Sequence, residues 1–141
     1  MATSDSGKWA VDTSVAVAAL DESHEAHVAC RAVARRRRPS LAGHAAFETY
    51  SVLTRLPGSW RAAPETVSDL LARAFPKVCW LAPQQHEDLL RRLGSLGIVG
   101  GSVYDALVGE AARTANRTLL TRDSRAQRTY ELIGVRFDFV V

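Results

Sequence analysis

Four carboxylates, Asp12, Glu48, Asp105 and Asp123, stand where they could share one ligand. Asp12 ends the short apolar run from Lys8 to Val11, and Asp123 follows a second run from Thr118 to Thr121. Ligands of open α/β sheets gather outside the carboxyl ends of the strands, so parallel pairing of these two runs would bring both side chains to one edge. Asp105 falls in the opening turn of a helical pattern. Helical geometry sets it beside Ala112, at the margin of the apolar arc of Tyr104, Leu107, Val108 and Ala111, which turns it toward a crevice. Glu48 lies in the middle of a helix that buries Ala46, Tyr50 and Leu53, and it borders that arc through Val52.

Four acids at one strand edge repel one another at neutral pH unless some take up protons or a cation sits among them. Hard oxygen donors select hard ions, so Mg²⁺ or Mn²⁺ is the expected occupant, with Asp12, Glu48, Asp105 and Asp123 as its ligands. No His/Cys set of the kind zinc prefers is apparent. Such an ion polarises a phosphoryl oxygen and acidifies bound water, which is the chemistry of phosphodiester hydrolysis. Thr13, Ser14 and Thr121 supply hydroxyls able to orient a carboxylate or the attacking water, and Thr121 joins the four acids as a catalytic candidate. Helix capping explains Asp12, Asp105 and Asp123 equally well when each is taken singly, but it does not explain Glu48.

The elements that must position these groups alternate between strand and helix. After the strand ending at Val11, Val15, Val17 and Leu20 begin a helix, and Asp21-Glu22-Ser23 starts another that Pro39 stops. Helical spacing runs from Leu41 to Leu56 and closes at Pro57-Gly58. Pro64 opens a helix apolar at Val67, Leu70, Leu71 and Ala74. Val78 to Leu81 reads as a strand, and Pro83 leads into a helix through Leu93. Gly100-Gly101-Ser102 caps a helix reaching Ala115, the strand Thr118 to Thr121 follows, and a short helix from Asp123-Ser124 ends at Gly134. Val135 to Val140 alternates as a final strand. Strands separated by helices imply the α/β class, with a central, mostly parallel sheet flanked by helices on both faces.

A chain of 141 residues, 47% of them hydrophobic, is expected to build one core, here residues 9–141 behind a flexible tail at 1–8. No stretch approaches the ~20 apolar residues that span a bilayer, no charged secretory leader is evident, and Cys30 and Cys79 read as two free thiols. A cytoplasmic protein without membrane contact is expected. The charge of +3 permits a polyanionic partner. Of 18 basic residues only Lys8 and Lys77 are lysine; Arg35 to Arg38 form a run that could meet either a helix dipole or phosphate. Glu110, turned about 140° from Asp105 on the same helix, should be solvated away from the site. His24 and His27 lack a third metal ligand. Trp9, Trp60 and Trp80 read as core or interface rather than base-stacking platforms, because none has a second aromatic at helical or strand spacing.

The segments Val11-Asp12-Thr13-Ser14-Val15, Phe47-Glu48-Thr49-Tyr50-Ser51-Val52-Leu53, Tyr104-Asp105-Ala106-Leu107 and Leu120-Thr121-Arg122-Asp123 resemble, in order and over nearly the whole chain, the four acidic motifs of PIN-domain nucleases. The resemblance implies a PIN-like fold and a Mg²⁺- or Mn²⁺-dependent endoribonuclease with Asp12, Glu48, Asp105 and Asp123 as its metal-site acids. For a stand-alone domain this short it implies a toxin of the VapC type, paired with a small VapB-type antitoxin, acting on tRNA, rRNA or mRNA and forming homodimers, with Val15 and Val17 as candidate contacts. Arg125 stands where some members carry a fifth acid, so a full second metal site is not implied. A housekeeping RNase and a silent RNA-binding scaffold are the alternatives. A phosphotransferase working through an aspartyl-phosphate is disfavoured, because Asp12-Thr13-Ser14 lacks that family's second aspartate.

Overall fold

The structure is a computed structural model that describes residues 7–58 and 62–141. The first six positions of the expected tail, and Trp60, lie outside the described residues. Lys8, placed in that tail by the sequence, is already tied to the sheet: its carbonyl accepts the Thr118 amide at 2.9 Å.

Four parallel strands form one sheet in the order β2-β1-β3-β4: β1 (Trp9–Val11), β2 (Ser40–Leu41), β3 (Thr118–Thr121) and β4 (Phe137–Phe139). Between and around them run α1 (Thr13–Leu20), α2 (His27–Arg37), α3 (Ala45–Thr54), α4 (Pro64–Ala74), α5 (Pro83–Leu96), α6 (Ser102–Thr114) and α7 (Gln127–Ile133). The α/β class follows from this alternation, since parallel neighbours need long crossovers. Side chains alternate across each strand, so Ala10 and Leu119 enter the cluster built on α5, α6 and α7, while Val11 and Leu120 enter the one built on α1, α2 and Phe75. The sheet is thus covered on both faces.

Three expectations need correction. Asp21-Glu22-Ser23 does not start a helix: Asp21 accepts the Ser23 amide at 3.0 Å in a turn, and α2 begins only at His27. Leu41 does not begin a helix. Ser40 and Leu41 pair with Ala10 and Val11 as β2, and α3 starts only at Ala45, after Gly43 has turned the chain at φ +52. The run Val78 to Leu81 is not a full strand. Only the bridge of Val78 to Leu41 forms, held by Leu41 N–H to Lys77 and Cys79 N–H to Leu41, before Pro83 starts α5. A two-residue partner leaves nothing further to pair with.

Val15 is fully buried, so it offers no surface for a second copy, and Val17 lines a cavity instead. Cys30 and Cys79 are free. Among the described residues no helix is long and apolar enough to cross a membrane.

Candidate functional site

Val11 pairs with Leu120 in the parallel β1–β3 ladder, so the residues that follow each strand emerge side by side. The Asp12 amide continues the ladder, donating to Leu120 at 3.1 Å. Asp12 then caps α1, accepting the Val15 amide at 3.2 Å, and Asp123 caps a 3-10 turn at Ser124–Ala126 through the Arg125 amide at 2.9 Å. Capping and convergence are therefore the same geometry here. The helix starts that the caps secure hold both acids at the carboxyl edge.

Asp12, Glu48, Asp105 and Asp123 line one open cavity of roughly 500 Å³. Asp12 is 3% exposed and takes four donors: Ser14 at 2.6 Å and the Val15 amide on Oδ1, Thr121 at 2.5 Å and the Tyr130 hydroxyl at 2.8 Å on Oδ2. Burial raises its pKa, against the pull of those hydrogen bonds. Burial and the neighbouring Asp12 likewise push the Tyr130 phenol up, so it stays a donor. Thr13 donates to Glu48 Oε1 at 3.1 Å, linking α1 to α3.

Asp105 carries the electrostatic strain of the group. Burial first, then Asp123, Glu48 and Asp12, push its carboxyl up to about 6, opposed by Arg125. Arg125 is itself almost fully exposed and 3.8 Å from Asp123. Arg122 also lines the cavity but spends one guanidinium nitrogen on the Val140 carbonyl at 2.8 Å.

Thr121 is fully buried behind Asp12, to which it donates while accepting the Asp123 amide at 3.0 Å. It lies between two of the acids and is not among the residues that line the cavity. Tyr130 escaped the sequence reading: it is 118 residues from Asp12, and only the packing of α7 under the sheet edge brings its hydroxyl there. Glu25 also lines the cavity. A loop residue without periodicity gave no signal for it.

Glu110 is not solvated. At 2% exposure it forms ion pairs with Arg92 and Arg113, which outweigh burial and hold its pKa below the usual carboxylate range. It does stand apart from the acid cavity, as its helical phase requires. Trp80 has an aromatic neighbour after all: Phe47 lies 5.7 Å away, and His44 stacks on Tyr104 at 5.3 Å. Phe47, Trp80 and Tyr104 are each more than half exposed, a patch assembled from three elements that sequence spacing could not connect.

Residues 10–132 match the model of the PIN domain family. The chain is 49% identical over 126 residues to Ribonuclease VapC27 of Mycobacterium tuberculosis (strain ATCC 25618 / H37Rv), spanning 89% of this chain and 92% of that protein. Ribonuclease VapC40 of the same strain is 44% identical over 133 residues, spanning 93% and 98%. In fold, the chain is similar to one in the crystal structure of VapBC2 from Rickettsia felis bound to a DNA fragment from their promoter. There the TM-score is 0.64 at 12% identity, with 93% of this chain and 97% of that one covered.

Proposed function

This chain belongs to the PIN-domain family, and on that premise we propose that residues 9–141 form a single divalent-metal-dependent endoribonuclease domain, the toxin of a cytoplasmic toxin–antitoxin pair. The observation that carries the reading is the convergence of Asp12, Glu48, Asp105 and Asp123 on one cavity, with Asp105 pushed to about 6. Ribonuclease in the names of both close relatives supports the reaction class, and VapC supports the pairing with a VapB-type antitoxin.

The donor set fits a hydrated hard cation better than a tight cage. Among the described residues no three His, Cys, Asp or Glu side chains close directly on one point. Asp12 already receives four donors, about as many as a carboxylate has lone-pair directions. Among the described residues Asp105 has no hydrogen-bond donor on either oxygen, while Asp123 and Glu48 each commit one oxygen, to Arg125 and to Thr13. Asp105, Asp123 and Glu48 would therefore hold Mg²⁺ or Mn²⁺ together with water, and Asp12 would add charge from a fixed position. When bound, the ion supplies polarisation of a phosphoryl oxygen and acidification of water for attack on an RNA phosphodiester.

The chain's own residues do the rest. Ser14, Thr121 and Tyr130 lock the Asp12 carboxylate, and Thr13 orients Glu48. Arg122 and Arg125 give the cavity the cationic groups that a phosphate of tRNA, rRNA or mRNA would meet. Two copies would meet through the exposed Phe47, Trp80 and Tyr104 rings rather than through Val15. A small antitoxin peptide would block the acids with a basic side chain in place of the ion. Expression of the wild type alone should arrest growth, Asp12→Asn should not, and co-expression of the adjacent small gene should rescue. Harmless expression of an active wild type would make a housekeeping RNase the better reading.

A further inference from the structure

A second cavity, of roughly 790 Å³, lies between the C-terminal half of α2 and the end of α4. Arg38 and Pro39 lead into β2, and Lys77 precedes the bridge at Val78, so this cavity marks the amino edge of the parallel sheet. The acids stand at the opposite, carboxyl edge. Among the described residues five cations line the cavity, Arg31, Arg35, Arg38, Arg73 and Lys77, and no carboxylate does. All five are exposed, and none has an ion-pair partner among the described residues. The cationic stretch ends sharply, since the adjoining cavity that shares Leu20 and Leu70 is lined by Asp21 and Glu22.

Helix dipoles do not account for this charge. The C-termini of α2 and α4 both point here, and each carries about half a negative charge. Together they offset about one of the five cations. Arg31, moreover, lies outside the last turn of α2, and Lys77 is beyond the end of α4. Arg31 and Arg35 stand at i and i+4 on α2, about 6 Å apart along its axis and close to the spacing of phosphates on a nucleic-acid strand, and Arg38 follows as the left-handed residue that ends the helix. Phe75 in the floor is 2% exposed, and the exposed guanidinium forks form the charged part of the contact surface. Such forks match phosphate oxygens two at a time.

We propose that this groove is an anchor for the phosphate backbone of the RNA, separate from the acids that cut it. The inference rests on the ribonuclease reading. His24 and Glu25, just before α2, line the acid cavity, and the C-terminal half of α2 lines the groove. The helix between them is 11 residues, about 16 Å, so any RNA longer than a few nucleotides can touch both.

The test compares the wild type with an Arg31→Gln/Arg35→Gln/Arg73→Gln variant, three exposed positions whose loss should leave the melting temperature unchanged. Binding of a folded transfer RNA is followed by fluorescence anisotropy in EDTA across a salt series. At about 0.7 to 0.9 per phosphate contact, the slope of log K against log salt should become shallower by about two to three, with affinity about 10- to 100-fold weaker at low salt. With metal, KM for the long RNA should rise while kcat, and cleavage of a short oligonucleotide, stay as in the wild type. The matching Arg→Lys variant, which keeps the charge, should keep the slope. Unchanged slope and affinity in the Gln variant would overturn the inference. So would loss of antitoxin capture with RNA binding intact, which would assign the groove to an acidic protein. A wild type that fails to cut even the short oligonucleotide would count instead against the nuclease reading itself.

Discussion

Replacing Asp105 by Asn should make the metal-free protein more stable while ending cleavage. Asp105 is the acid on which the repulsion of the cluster falls, its carboxyl pushed from 3.8 to about 6 by burial, Asp123, Glu48 and Asp12. Between those two values the folded protein holds the proton more tightly than the unfolded chain does. Stability therefore falls as pH rises from about 4 to about 6, and the loss is complete above that range. A shift of about two units corresponds to about 3 kcal/mol, which solvent at the cavity mouth reduces to about 1–2 kcal/mol. Asn has the same shape without the charge, so in EDTA at neutral pH the variant should melt roughly 3–6 °C above the wild type, with the gap closing toward about pH 4. Mg²⁺ should shrink or reverse the ranking, because an ion that binds only the folded acid cluster stabilises the wild type by mass action. Thermal melts over this pH range, with EDTA or with Mg²⁺, read all three effects. A variant less stable than the wild type in EDTA at neutral pH, or a gap independent of pH, would refute the reasoning.

Two further substitutions separate the site's support from the rest of the core. Tyr130→Phe removes only the hydroxyl that donates to Asp12 at 2.8 Å, and loss of a buried hydrogen bond to a charged group should lower unfolding stability by about 1.5–3 kcal/mol in a urea titration. A change near zero would mean that this donor does not hold Asp12. Glu110→Gln leaves Arg92 and Arg113 without their shared carboxylate and should cost about 1–3 kcal/mol in the same titration, with RNA cleavage unchanged because Glu110 lies outside the acid cavity. Loss of cleavage in a folded Glu110→Gln protein would contradict that separation.

Much of the architecture was readable because it rests on local signals. Prolines at 64 and 83 open α4 and α5, Gly134 ends α7 in the left-handed conformation, and the β1 and β3 runs are short and apolar between polar turns. The four acids were found through their places after strands and on helix margins, which the parallel β1–β3 ladder turns into proximity. What was missed depends on contacts across long separations. Ser40–Leu41 is a strand only because β1 lies beside it, and Tyr130 matters only because its ring fills the core beneath Asp12. Glu110 reads as a surface residue until Arg92, 18 residues earlier on α5, is seen to cover it. The Phe47–Trp80 pair and the five-cation groove likewise join elements that no single periodicity links.

The central claim is that Asp105, Asp123 and Glu48, with the charge of Asp12 fixed beside them, hold a divalent ion that drives RNA cleavage, and the most direct measurement is cleavage of a labelled RNA under metal control. Purified wild type should cut with Mg²⁺ or Mn²⁺ and stop in excess EDTA, activity should return when the metal is restored, and folded Asp105→Asn and Asp123→Asn should each remain inactive at every metal concentration. Full activity in excess EDTA, or wild-type rates from either folded variant, would contradict it.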